Sequence, residues 1–126
     1  MATTTVTEDN FSSLLEQQGI VFFDFWAPWC GPCRMFGPVF EAASEQHADI
    51  MFAKINTEEE VAIASALKIQ SIPTLMAMRD GILVFRQAGA LPAPAFDELI
   101  DAVRGLDMDE VRAEVAKEHA QASATA

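Results

Sequence analysis

Ile20-Val21-Phe22-Phe23-Asp24-Phe25-Trp26-Ala27 holds a single charged residue, and it runs through Pro28 into Trp29-Cys30-Gly31-Pro32-Cys33. An apolar run of this length reads as a strand buried on both faces. The segment beyond it, Arg34 to His47, reads as a helix. Pro38 lies inside that helix, removes a backbone hydrogen bond and predicts a kink. Both cysteines of the chain therefore sit at a strand-to-helix junction, at the C-x-x-C spacing of a redox dithiol.

That placement has a chemical reason. The thiolate is the species that attacks a disulfide. Cys30, at or just before the helix start, meets free N–H groups and a dipole that favour an anion. Cys33 returns to the same helix face three residues on, so the two sulfurs can meet. Pro32 suits a first helical turn, and Gly31 leaves room for another backbone to approach. The expected cycle is attack by Cys30 on a partner's disulfide, then resolution of the mixed disulfide by Cys33. A structural disulfide is disfavoured, because so small a loop constrains the unfolded chain little. A zinc site wants four ligands, and His47 and His119 lack ligand-like spacing.

Asp24 is costly inside an apolar strand unless it is paired or protonated. Burial would raise its pKa and make it a proton acceptor for Cys33; a strand with one polar face to solvent is the alternative. Lys54 stands alone in the apolar stretch 50–55, either as the partner of Asp24 or as a snorkelling surface lysine. Pro73 in Ile72-Pro73-Thr74 is either an edge-strand device or a cis-proline holding a binding loop. Trp29 reads as an exposed docking aromatic and Trp26 as core. Met35, Met76 and Met78 read as packing, and Glu58-Glu59-Glu60 as a solvated helix start.

Outward from the motif, Thr7 reads as the N-cap of a helix that buries Phe11, Leu14 and Leu15. Asp49 to Asn56 reads as a second core strand, and Thr57 opens a helix with Val61, Ala64 and Leu67 inward. Thr74–Met78 and Ile82–Gln87 flank Asp80-Gly81, a strong hairpin signal. Pro94–Arg104 reads as a packed helix. The fold class is α/β: a mixed four- to five-stranded sheet with helices on both faces. Residues 1–104 form the domain. Residues 105–126 form a C-terminal extension: a short amphipathic helix, capped by Asp107 and carrying Met108, Val111 and Val115 on one face, then a disordered tail from Gln121.

The chain has 126 residues, 51% hydrophobic content and a net charge of −11, enough for one domain with a real core. The acidic balance sets aside nucleic acid and anionic membranes as partners. No signal peptide or membrane span is legible, so a cytoplasmic location is expected; a monomer is the expected state.

The run Phe25-Trp26-Ala27-Pro28-Trp29-Cys30-Gly31-Pro32-Cys33-Arg34-Met35 resembles the active-site segment of the thioredoxins. The similarity continues in order through Pro38, Ala53-Lys54-Ile55-Asn56, Ser71-Ile72-Pro73-Thr74-Leu75, Asp80-Gly81 and Ala88-Gly89-Ala90. The resemblance implies the thioredoxin fold, with Cys30 as nucleophile, Cys33 as resolving thiol, Asp24 as the buried acid and Lys54 as its neighbour. It implies a cis-proline at Pro73, with Ile72 pairing to a substrate strand and Gly89 beside Trp29, Gly31 and Pro32 at the docking surface. It further implies a general disulfide reductase with no bound cofactor. Such a protein serves disulfide-containing clients and is recharged by thioredoxin reductase at the expense of NADPH. Pro28, Thr57, Gln70 and Ala88 depart from common family residues and bear on client choice. The extension has no counterpart in the minimal family: packing on the domain, client binding and dimerisation are its open roles. Readings from other classes are a scaffold without turnover and a metal-binding module.

Overall fold

A computed structural model of the chain describes residues 2–125. In chain order the elements are β1 (Thr3–Thr5), α1 (Phe11–Glu16), β2 (Ile20–Trp26), α2 (Gly31–Gln46), β3 (Met51–Asn56) and α3 (Val61–Ala66). There follow β4 (Thr74–Arg79), β5 (Ile82–Ala88), α4 (Ala93–Arg104) and α5 (Met108–Thr125). The strands form one mixed sheet in the order β1-β3-β2-β4-β5. β1 and β2 both run parallel to β3, while β4 is antiparallel to both β2 and β5.

β2 is central, and its period-two alternation divides the core. Ile20 and Phe22 point into a cluster with Phe36 and Phe40 of α2, Phe52 of β3 and Phe96 and Ile100 of α4. Val21, Phe23 and Phe25 point the other way, toward Leu14 of α1 and Ile63 of α3. Phenylalanines pack the first cluster edge-on: Phe96 against Phe22 with ring centroids 5.4 Å apart, and Phe40 against Phe52 at 5.3 Å. Such geometry adds roughly 0.5–1.5 kcal/mol per pair beyond area burial. Both faces of β2 are thus consumed by helices, which is why its sequence is almost unbroken apolar.

The β4–β5 hairpin turns on Asp80 and Gly81, with φ of 52° and 80°, the left-handed pair that a two-residue primed turn requires. Asp80 also ties the hairpin to the chain before β2: its Oδ1 accepts from Gly19 N at 2.8 Å, and its own N–H donates to Gly19 O at 2.9 Å. Arg79 secures the far end of α4. One of its guanidinium nitrogens lies 2.8 Å from Val103 O and 3.0 Å from the carbonyl oxygens of Arg104 and Leu106. Val103 and Arg104 close the last turn of α4 and Leu106 follows it, so one guanidinium gathers the chain where the helix ends. Arg79→Ala is expected to lower unfolding stability by about 2 kcal/mol, the worth of hydrogen bonds from a charged donor. A urea denaturation curve with unchanged slope and an earlier midpoint is the expected readout.

Several boundaries differ from the sequence reading. β1 was not foreseen: three threonines carry no hydrophobic alternation, and only pairing with β3 makes them a strand. α1 begins at Phe11, with Asn10 rather than Thr7 as N-cap, because Asn10 Oδ1 accepts from Thr7 N at 2.8 Å and closes a turn first. α3 begins at Val61, later than Thr57, and α2 begins at Gly31, earlier than Arg34, with Pro38 inside its continuous span. Met76 and Met78 are buried, but Met35 is 75% exposed and is not packing.

The C-terminal helix is longer than expected. Asp107 does cap it, its Oδ1 accepting from Asp109 N at 3.0 Å and Glu110 N at 3.3 Å. α5 then continues to Thr125, so residues 121–125 are helical instead of a disordered tail; residue 126 lies outside the described residues. The alanine-rich stretch 116–125 supplies the helix propensity that the reading passed over. Met108 is buried, and Leu106 packs against the larger core cluster.

Candidate active site

Cys30 is the N-cap of α2, with extended backbone, and Pro32 occupies the first turn. The Cys33 N–H donates to Cys30 Sγ at 3.2 Å, so the helix N-terminus addresses the sulfur that must carry negative charge. The two cysteines are joined as a disulfide, with Cα atoms 5.2 Å apart. Both are at least 95% buried, so only a narrow edge of the bridge meets solvent.

That edge is framed by three segments. Ile72–Pro73 is a cis peptide bond, and the strand it leads into, β4, lies between β2 and β5, so Pro73 is not an edge-strand device. Ile72 places its carbonyl oxygen 3.6 Å from Cys30 Sγ, and its side chain packs on the cysteine cluster. Gly89 follows β5 with φ of 108°, and its N–H donates to Pro73 O at 2.8 Å. The positive φ there is one that glycine adopts freely. Trp29 stands beside the bridge with 64% of its surface exposed. Gly31 has nothing within 4 Å of where a Cβ would sit.

Trp29 is not free. Its indole N–H donates to the Glu58 carboxylate. Asn56, at the end of β3, organises the donor's partner: its Oδ1 accepts from Glu58 N at 3.0 Å and its Nδ2 donates to Glu59 Oε1 at 3.0 Å. Glu58 is the residue that sequence reasoning missed, having been assigned to a solvated helix start. The available signal was Asn56 directly after a strand, where an Asx turn delays the helix.

Behind the bridge, strand parity does the positioning. Asp24 shares the face of Ile20 and Phe22, which is the α2 face, so its carboxyl lies on the side of the sheet that carries Cys33. Asp24 is 1% exposed, and its Oδ1 has no hydrogen-bond partner. Burial pushes its pKa from 3.8 up to about 7, the Lys54 ammonium pulling in the opposite direction. Lys54 is the cross-strand partner of Asp24 in the β2–β3 register. Its Nζ lies 3.5 Å from Glu41 Oε1 and 5.1 Å from the centroid of the half-buried Trp26 ring. A cavity of about 290 Å³ opens between Cys33, Pro38, Glu41 and Lys54. It gives solvent a route to the rear of Cys33.

Departures from the family pattern find structural partners. Thr57 Oγ1 donates to Trp26 O at 3.1 Å, and Arg34 donates to Pro28 O through Nε at 3.3 Å. Among the described residues no group of three or more His, Cys, Asp or Glu could hold a metal ion, and no helix is long and apolar enough to cross a membrane.

Known proteins match this arrangement. The thioredoxin family model matches residues 2–105. A Streptomyces coelicolor protein assigned as thioredoxin 2 is 48% identical over 121 residues, covering 96% of this chain and 90% of its own. Bacillus subtilis thioredoxin is 38% identical over 102 residues, covering 80% of this chain and 97% of its own. The solved structure of Plasmodium falciparum thioredoxin superposes with a TM-score of 0.73 at 31% identity, covering 79% of this chain and 98% of that one. With a mixed sheet, a helix-capping cysteine bridged to the cysteine one turn on and these relatives, the chain belongs to the thioredoxin family and is a thiol–disulfide oxidoreductase.

Proposed function

We propose that this protein is a general reductase of protein disulfides, working in the cytoplasm and recharged by thioredoxin reductase with NADPH as the distant electron source. The observation that carries the reading is the Cys33 N–H donated to Cys30 Sγ at the helix N-cap. It lowers the cost of a Cys30 thiolate. That thiolate attacks one sulfur of a client disulfide, forming a mixed disulfide and expelling a client thiolate. Asp24 takes the proton of Cys33. The Cys33 thiolate then attacks Cys30 Sγ, expels the second client thiolate and closes the Cys30–Cys33 disulfide. Two electrons pass to the client, and two from the reductase restore the dithiol. Lys54 tunes Asp24 by its charge. Trp29, Gly31, Pro32, Ile72, Pro73 and Gly89 form the client platform, with an extended client segment pairing its backbone to Ile72.

No bound cofactor enters this cycle. We take residues 1–104 as the catalytic domain and the remainder as an extension seated on it by Leu106 and Met108. The test is a coupled assay with NADPH, a bacterial thioredoxin reductase and a disulfide-bonded protein client. NADPH consumption that depends on this chain and on the client supports the reading. Client reduction by a chemical dithiol alone, with no electrons accepted from any thioredoxin reductase, overturns the assignment of its electron source.

A further inference from the structure

The clearest feature that the dithiol chemistry leaves unused is a groove between β5 and α5. Its volume is about 380 Å³, inside the range of specific binding clefts. The floor is apolar: Ile82, Leu83 and Val84 on one side, Leu106, Val111 and Val115 on the other. Leu83 is 48% exposed, an unusual state for a leucine at the centre of an apolar floor. β5 pairs only with β4, so the groove runs along the outer edge of the sheet.

One wall is charged in a regular way. Glu110, Glu114 and Glu118 all line the groove at i, i+4, i+8 spacing. They repeat about every 6 Å over about 12 Å of helix. Among the described residues no ion pair engages any of the three, whereas the neighbouring Arg112 is turned to Asp109 at 2.9 Å and to Asp80 at 4.0 Å. Three uncompensated carboxylates beside an apolar floor ask for an occupant that brings both positive charge and apolar side chains.

We propose that this groove docks a basic amphipathic helix of a partner protein, its apolar stripe on the β5–α5 floor and its Lys or Arg side chains along the glutamate wall. A helix with basic residues four apart repeats at the same 6 Å interval. Charge also sorts the other occupants. A second copy would bring a like-charged wall and a net charge of −11, and an anionic lipid surface would be repelled in the same way. The relatives differ in whether they extend over α5. The Streptomyces coelicolor match spans 121 residues, too long to leave α5 out, while Bacillus subtilis thioredoxin is 97% covered by a match of 102 residues and has no length left for such a helix. The groove would let a chosen partner be held while the dithiol stays free to act. This inference stands apart from the reductase reading, since it needs neither cysteine.

The test uses the full chain, with its cysteines oxidised, and a fluorescein-labelled 18-residue peptide with leucines at helical i, i+3, i+4 spacing flanked by lysines. A second peptide carries glutamate in place of each lysine. Saturable one-to-one binding of the first peptide is expected, weakening as salt rises, with no binding of the second. The amide signals that move should be those of residues 82–84 and 106–118. Glu110→Lys combined with Glu114→Lys and Glu118→Lys should weaken binding at least tenfold, with helix content checked by circular dichroism. Leu83→Asn, which leaves α5 untouched, should weaken it about fivefold. Both variants should reduce a small neutral disulfide at the normal rate. The proposal is overturned by peptide binding that both variants leave intact, or by amide shifts clustered on the dithiol face. A concentration-dependent dimer abolished by the same substitutions would also overturn it, in favour of a second copy.

Discussion

Cys33→Ser is expected to stop turnover by at least about 1,000-fold and to leave Cys30 trapped in a mixed disulfide with the client. The geometry separates the two cysteines by role. Cys30 Sγ receives an N–H at the start of α2, whereas Cys33 lies one turn inside the helix and supplies that N–H. Removing the inner sulfur leaves the attack possible and the escape impossible. Cys30→Ser should be equally inactive but form no adduct, because a serine hydroxyl is not ionised near neutral pH. Non-reducing electrophoresis and intact mass, after mixing each variant with a disulfide-bonded client, read the difference. An adduct on Cys33 in the Cys30→Ser protein, formed as fast as on Cys30 in its counterpart, would reverse the assigned order.

Asp24→Asn is expected to make the oxidised protein more stable at pH 8 and less stable at pH 4. The folded pKa of Asp24 is raised to about 7 from 3.8, so the folded state holds a proton that the unfolded state has lost. Stability therefore falls as pH climbs above the unfolded pKa, and the loss is complete once pH passes the folded one. A shift of this size corresponds to about 4 kcal/mol of penalty at high pH. A buried asparagine amide returns roughly 1–3 kcal/mol of that as unmade hydrogen bonds. The net gain is about 2 kcal/mol, or about 8 °C in Tm for a chain of this size. Below pH 4 the native Asp24 is neutral in both states, so only the amide's cost of about 2 kcal/mol remains and the order of stability reverses. The same substitution should prolong the mixed disulfide about tenfold or more at pH 7, because Cys33 loses its proton acceptor. Equal melting curves at pH 8 would mean that Asp24 reaches solvent and carries no stored penalty.

These two residues also show what the sequence made legible. β2 could be read because a strand covered on both faces must be apolar at every position, and the single exception, Asp24, thereby announced itself. The cysteine pair could be read because a C-x-x-C at a strand-to-helix junction has few other uses. The hairpin was equally plain in Asp80-Gly81. What escaped was held by contacts distant in the chain. Thr3–Thr5 becomes a strand only through its register with Phe52, Ala53 and Lys54. Glu58 takes the Trp29 indole from 29 residues away, and local pattern made it one acid among three. Lys54 is in register with Asp24 across the strand pair, yet its ammonium sits between Glu41 and the Trp26 ring, contacts that no local pattern announces. The extension was underread for another reason. Its outer half has no apolar stripe, so amphipathic periodicity ends where alanine-driven helix propensity continues.

The central claim is that Cys30 and Cys33 form a dithiol poised to reduce other proteins' disulfides. Its most direct test is the reduction potential of the pair, found by equilibrating the chain with graded dithiol–disulfide buffers without oxygen and following tryptophan fluorescence, Trp29 adjoining the bridge. The account predicts a single two-electron transition near the about −270 mV of thioredoxins, more reducing than the glutathione pool measured by extraction. A midpoint above about −180 mV, in the range of catalysts that form or isomerise disulfides, would contradict it.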